Sequence, residues 1–233
     1  MNKIFAIGSL VLGAFAHTHH HSNEAVQVAA WPELDLFTTF KADVTLHTFD
    51  GKKLKPFKGI SATAKVDGDR NKIHVDAKVE VPVFGKIPAE ILIDSKAGKL
   101  QLYVPMLKMC QEEDLPQVDL KQLLLQFYSE EGGLSVYDGV ATPAWDTVSY
   151  DKFHASLAGD DATATLDLYV DKSTHNGRWL QLLTSVEKDP HVIVNVPKGE
   201  EKATFQDSEF TISGCKNKVF ERNPEKMVRL FRP

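Results

Sequence analysis

The chain has 233 residues but only two cysteines, and it lacks the sequence motifs that hold metals or carry out common enzymatic reactions. There is no CxxC pair and no cysteine and histidine set with zinc spacing. There is also no H-E-x-x-H, no G-x-S-x-G and no glycine-rich phosphate or dinucleotide loop. These absences predict a protein that is not an enzyme and has no cofactor. An activity built from residues distant in sequence is the alternative.

The histidines of the predicted strand region are scattered and form no cluster in the sequence. His74 and His154 fall on strand faces that alternation assigns to solvent. We therefore predict that both are surface residues rather than catalytic bases or metal ligands.

No stretch beyond residue 16 approaches the ~20 consecutive apolar residues that a membrane-spanning helix needs. Residues 1–16 themselves have the pattern of a secretory signal peptide, with Lys3, an apolar run and Ala14-Phe15-Ala16 as the cleavage site. We therefore expect a soluble protein that is secreted or lies in the lumen of the secretory pathway. An uncleaved anchor is the alternative.

Positive charge is not in excess, since the formal net charge is -5. This balance argues against nucleic acid as a partner. Only residues 217–233 are locally basic, and they predict either a solvated tail or an electrostatic contact with an anionic membrane surface.

The two cysteines, Cys110 and Cys215, form an even count in a chain predicted to enter an oxidising compartment. We predict that they form a disulfide, with free or intermolecular thiols as the alternative. Residues 17–30 are rich in histidine and predicted to be flexible. If cleavage follows Ala16, His17 and His19 can supply a square-planar site for copper(II) or nickel(II). A disordered tail without a specific ligand is the alternative.

Residues 31–216 predict one β-rich domain with a single amphipathic helix. Strict alternation in 60–66 and 73–81, with Asp67-Gly68 between them, indicates an antiparallel hairpin. Residues 106–117 predict a connector, and 203–212 predict the last strand. The helix is predicted at Asp119 to Tyr128, where Asp119 is the N-cap and apolar residues recur with helical spacing.

About ten strands at ~4.8 Å spacing make a sheet that one short helix can cover only in small part. The sheet must therefore curl on itself. We predict a mainly β (α+β) fold, with a curved antiparallel sheet or unclosed barrel of about ten strands and the helix as a lid or plug. A fully packed core without a cavity is the alternative.

The order of a signal peptide, a meander of one-sided strands, a helix and the strand-turn-strand LDLYVDKSTHNGRWLQL resembles the LolA-like lipoprotein carriers and their mycobacterial lipid-carrying relatives. The resemblance covers residues 34–212. It implies an unclosed barrel whose apolar groove takes acyl chains without catalysis. The cysteine pair and the single strong helix depart from the bacterial members.

We therefore predict a secreted, non-enzymatic binder or carrier of a lipid-like ligand. A structural or adhesive extracellular module and a copper-binding protein that uses the N-terminal histidines are the alternatives. Alternation predicts that the groove is lined by Val75, Ala77, Val79, Leu100, Leu102, Leu166 and Leu168 from strands, and by Leu120, Leu124 and Phe127 from the helix. Polar replacement of these helix residues is expected to cost binding before it costs fold.

Overall fold

A computed structural model describes residues 30–81, 85–158, 163–184 and 191–215. Within these ranges the chain forms one antiparallel sheet of twelve strands and one α-helix, α1, at Leu120–Phe127. The strands are β1 Thr39–Phe49, β2 Leu54–Asp67, β3 Lys72–Val81, β4 Gly85–Asp94, β5 Lys99–Val104, β6 Met109–Asp114, β7 Val136–Ala141, β8 Tyr150–Ala158, β9 Thr163–Val170, β10 Gly177–Thr184, β11 His191–Asn195 and β12 Glu201–Lys202.

The sheet consists of two meanders that meet in its middle. The strand order is β6-β5-β4-β3-β2-β1-β11-β10-β9-β8-β7, and the short β12 pairs with the start of β1. Pairing of β1 with β11 joins the meanders, while β6 and β7 form the two edges. The sheet is curved and unclosed, which confirms the predicted mainly β fold with a curved, unclosed antiparallel sheet. Its twelve strands exceed the predicted number of about ten.

The hairpin between β2 and β3 is held by local polar contacts that the sequence signals. The carboxylate of Asp67 accepts the N–H of Arg70 at 3.0 Å and the guanidinium of the same residue at 2.6 Å. Asn71 follows in the left-handed region, with φ of 58°, which asparagine adopts more readily than most residues. The antiparallel hairpin predicted around Asp67-Gly68 is therefore confirmed.

Helix α1 begins where the sequence predicts and is fastened to that same hairpin. The side chain of Asp119 accepts the N–H of Gln122 at 3.0 Å, as expected of an N-cap. The N–H of Leu120 donates to the Asn71 amide oxygen at 2.7 Å. Gly68 passes so close to Thr38 and Lys121 that a Cβ there would lie 2.8 Å from the Thr38 carbonyl oxygen, so glycine is needed.

Two predicted elements were wrong. The predicted connector 106–117 contains strand β6, because a 3₁₀ turn at Pro105–Leu107 reverses the chain and places β6 beside β5. Its polar sequence suits a sheet edge. The predicted strand 203–212 instead contains a 3₁₀ turn at Asp207–Phe210, where Gln206 and Glu209 form a capping box.

The disulfide between Cys110 and Cys215 is confirmed, with their Cα atoms 5.7 Å apart. It ties the segment 203–215, which we call the strap, to strand β6. Within the strap, Phe205, Phe210 and Ile212 are buried against Leu92 and the two cysteines. The apolar residues of the strap alternate in sequence because one side of the segment is buried, and not because the segment pairs as a strand.

Candidate functional site

The sheet has one face that carries the helix, and strand register shows which residues share it. Residues directly opposite in paired strands lie on one face, so Leu168, Leu180, Val194 and Leu46 form a continuous row across four strands. Val44 lies two residues before Leu46 on β1 and therefore on the same face. From Val44 a second row runs across the other half of the sheet through Ala62, Ala77 and Ala89. The helix face is therefore apolar from β9 to β4.

One end of the helix face is tightly packed against α1. Phe127 is 6% exposed and Phe153 is 1% exposed. Trp31 and Tyr137 cover Phe153 with ring centroids 5.0 and 5.1 Å away. The buried members of this group, which we call the helix cluster, are Leu123, Phe127, Leu134, Phe153, Ala155, Leu166, Leu168, Val170 and Leu182.

The other end of the helix face is packed without the helix. Two smaller groups of buried side chains lie at β4 and β5. One contains Leu100 and Leu115, which directly follows β6, and the other contains Leu102 and Val104. Ile91 is half-buried and contacts both groups.

Between these packed ends, the helix face of strands β11, β1, β2 and β3 carries half-buried apolar side chains, interspersed with buried ones such as Ala42, Ile60 and Ala77. We call the half-buried group the central strip, and none of its members belongs to a packed apolar cluster of described residues. Its members are Val192, Val194, Leu46, Val44, Ala62, Ala64 and Val75.

The structure divides the residues that sequence reasoning assigned to ligand binding. Val75 lies in the central strip, next along β3 from the buried Ala77 and Val79. Leu100 and Leu102 belong to the packed end at β5.

Helix and β9 residues lie at the other end. Leu166, Leu168 and Phe127 are members of the helix cluster. Leu120 is also buried, whereas Leu124 is half-buried. The predicted set is therefore spread along one face, and most of its members pack against other protein groups.

Most of the central strip was missed by sequence reasoning. The strands and their apolar side were predicted correctly, but the ligand residues were chosen from strands with larger side chains. Ala62 and Ala64 gave no such signal, because a small residue reads equally well as close packing and as open surface.

A cleft of about 350 Å³ lies beside the C-terminal end of α1. Trp31, Leu34 and Tyr128 give it an apolar side, while Ser129 to Glu131 give it a polar rim. None of the predicted ligand residues lines this cleft. It adjoins the helix cluster, since Trp31, Leu34 and Tyr128 also pack there.

Glu200 is a titratable group near the same end of the helix that the sequence did not single out. Burial raises its pKa from the ordinary 4.5 to about 7, and the charge of Asp35 acts in the same direction. The N–H of Phe37, which donates to its carboxylate at 3.4 Å, acts against this rise. Burial also raises the pKa of Tyr128, and the negative charge of Glu200 adds to that effect.

The opposite face is not the solvated surface that alternation predicts. Phe49, Tyr150, Tyr169, Trp179 and Ile193 form a buried, mostly aromatic cluster there. The prediction that His74 is a surface residue is wrong, because its side chain lies on the face of the sheet that the strap covers and is only 6% exposed. His154 is partly exposed and its ring nitrogen lies 2.7 Å from an Asp138 carboxylate oxygen.

Several predictions fall outside the described residues. These are the signal peptide at 1–16, the copper ligands His17 and His19, and the basic segment 217–233. Among the described residues, no helix combines the length and apolar character needed to cross a membrane.

A scan of the chain against models of known protein families finds no match, and a search of the curated proteins finds no similar sequence. The resemblance to lipid carriers therefore rests on the sequence pattern.

Proposed function

We propose that this protein is a secreted, non-enzymatic binder or carrier of a lipid-like molecule, whose apolar part lies on the central strip. The observation that carries this proposal is an apolar, half-buried surface in the middle of a sheet, with packed clusters on both sides of it. The Cys110–Cys215 disulfide is consistent with an oxidising compartment.

The size of the hydrophobic effect favours a long-chain ligand. Each buried methylene gains ~0.8 kcal/mol, so a chain of about ten gains roughly 8 kcal/mol before any cost is subtracted. Association costs at least ~4 kcal/mol in lost freedom of motion. For a chain of about five methylenes, the cost of association would therefore offset almost all of the free energy gained by burial. We expect affinity to rise steeply with chain length.

Helix α1 is proposed as a lid at one border of the strip. Leu123 and Phe127 are buried in the helix cluster. Lys121 forms an ion pair with Asp69 at 2.6 Å. Leu124 is the member of the predicted ligand stripe that stays half-buried. We expect Leu124 to contact the ligand, and we expect polar replacements of Leu120 and Phe127 to cost fold first.

The proposal is tested by lipid extraction of the natively purified protein, followed by mass spectrometry, and by titration with a fluorescent long-chain fatty acid. Ala62→Leu together with Ala64→Leu should fill the strip and weaken probe binding at least ~10-fold. Thermal unfolding should show that the variant remains folded. The absence of both co-purifying lipid and probe binding would reject the proposal.

A matched pair of single variants separates the two faces of strand β2. Ala62→Glu places a charge on the strip, whereas Ser61→Glu places it on the opposite face, across from Lys78. We expect loss of probe binding in the first variant and unchanged binding in the second. Equal effects in both would mean that the probe binds elsewhere.

A second candidate function, an adhesive or assembling module, is favoured by apolar side chains at the β7 edge. Val136 and Val140 are 51% and 55% exposed, and Val148 nearby is 49% exposed. Exposed apolar edge strands invite pairing with another chain. Self-association in sedimentation that is lost in Val136→Lys with Val140→Lys, together with no lipid binding, would favour this function.

A further inference from the structure

Three side chains that can ligate metal converge on β3 and β4, on the face opposite to the helix. Asp76 and Glu90 are directly opposite in the β3–β4 ladder, and His74 shares their face two residues earlier. The His74 Nε2 lies 4.0 Å from Asp76 Oδ1 and 3.8 Å from Glu90 Oε2. All three ligand atoms lie within 4.8 Å of one another.

His74 is buried without the hydrogen bonds that a buried imidazole needs. It is 6% exposed, and neither ring nitrogen has a hydrogen-bond partner among the described residues. Leaving such a group unsatisfied costs ~1–3 kcal/mol. The separations from Asp76 and Glu90 are too long for direct hydrogen bonds but leave space for an ion.

The carboxylates of Asp76 and Glu90 also repel each other, and a bound cation would remove this repulsion. Like charges placed directly opposite in a sheet repel each other. Lys65 lies 4.0 Å from Asp76 but closer to Glu209, at 3.4 Å, so its charge is shared. Among the described residues, the ion-pair contact of Glu90 is with His74 alone, and a histidine supplies a positive charge only when it is protonated.

We propose that His74, Asp76 and Glu90 bind a divalent transition-metal ion of the Zn²⁺ kind. One neutral imidazole and two carboxylates form a borderline donor set, which suits zinc and its neighbours in the first transition row. Ca²⁺ and Mg²⁺ prefer sites made of oxygen alone, and Cu(I) prefers sulfur.

The geometry requires only small side-chain movements. Bonds of about 2.0–2.1 Å in a tetrahedral site bring neighbouring ligand atoms to ~3.4 Å from each other. The Nε2 of His74 is within 1 Å of that separation from both carboxylates. The Asp76 and Glu90 side chains are 48% and 29% exposed, so they can adjust and give the ion access from solvent.

Three protein ligands leave one position for water. The Nδ1 of His74 also lacks a hydrogen-bond partner among the described residues, whereas ligating histidines usually donate their second N–H to another group. Missing support of this kind weakens affinity ~10–100-fold. The site is therefore expected to exchange its ion rather than to hold it permanently.

The experiment measures zinc bound to the full chain by equilibrium dialysis with elemental analysis, after chelator treatment and at about pH 7, because metal binding to histidine and carboxylates competes with protons. Asp76→Asn with Glu90→Gln should bind one zinc ion fewer than the wild type. Zinc should also raise the unfolding temperature of the wild type more than that of the double variant. Any zinc held by the N-terminal histidines is common to both proteins and cancels in the difference.

Two single variants provide the matched control, because both remove one carboxylate charge beside a histidine. Glu90→Gln should weaken zinc binding at the site at least ~10-fold. Asp138→Asn, which alters the pair with His154, should leave zinc binding unchanged. Equal zinc binding by the wild type and both variants would overturn the proposal, as would binding of Ca²⁺ as tight as that of Zn²⁺.

Discussion

The sheet is covered in two places on opposite faces, and the two coverings are built differently. Helix α1 covers β8 to β10 through apolar packing, with Phe127 set among Leu168 and Phe153. The strap covers the side of β3 to β6 and is fastened by the Cys110–Cys215 disulfide.

The rims of the two coverings differ as well. At the strap, charged groups pair near solvent, as in Arg70 with Asp207 at 2.7 Å and Lys65 with Glu209 at 3.4 Å. Near the helix cluster, the half-buried carboxylate of Glu200 accepts the backbone N–H of Phe37 at 3.4 Å. A short helix needs apolar complementarity along its whole stripe, whereas a covalent link lets an irregular segment cover the sheet.

Removing the disulfide should have the largest effect and should act mainly on the strap. The cysteines are 105 residues apart, and the chain-entropy model gives ~4.7 kcal/mol for a loop of that order. Cys110→Ser with Cys215→Ser should therefore lower the free energy of unfolding by up to about that amount in urea titrations. Hydrogen exchange should rise most in 203–215. A loss below ~1 kcal/mol would show that packing alone holds the strap.

Truncating a buried side chain of helix α1 should have the next largest effect, because no covalent link holds this helix on the sheet. Phe127→Ala removes a buried ring and should cost about 3–5 kcal/mol by urea unfolding. Leu125 is 44% exposed on the same helix, so Leu125→Ala should change stability by less than ~0.5 kcal/mol. Equal losses in the two variants would mean that the helix does not depend on its buried stripe.

The same contrast explains what the sequence could predict. Helix α1 was predicted because its N-cap at Asp119 and its apolar stripe are local signals. The disulfide was predicted because two cysteines have only one intramolecular pairing. The strap was mistaken for a strand, since Phe210 and Ile212 alternate with exposed residues as strand residues do.

The candidate sites were harder to predict because they depend on what covers each face. Alternation separates the two faces of β3 correctly, but it cannot show that one of them lies under a distant segment. His74 was therefore assigned to solvent. Of the central strip, only Val75 was predicted as a ligand residue, since small residues such as Ala62 do not distinguish open surface from packed surface.

The smallest of the three effects concerns Glu200 and depends on pH. Its pKa is raised from 4.5 to about 7 in the folded chain, so the folded state binds more protons than the unfolded state between these values. The contribution of Glu200 to stability must therefore fall as the pH rises from about 4.5 to about 7, by up to ~3 kcal/mol at ~1.4 kcal/mol per pH unit. Glu200→Gln should remove this dependence and stabilise the protein above about pH 7.

The neighbouring residue provides the control for this prediction. Glu201 is exposed on β12, so Glu201→Gln should keep the pH profile of the wild type in urea unfolding. If Glu200→Gln and the wild type lose the same stability between pH 5 and pH 8, the carboxyl is ionised at its ordinary pKa. The rim of the helix covering would then be as well solvated as that of the strap, and the contrast between them would reduce to the disulfide.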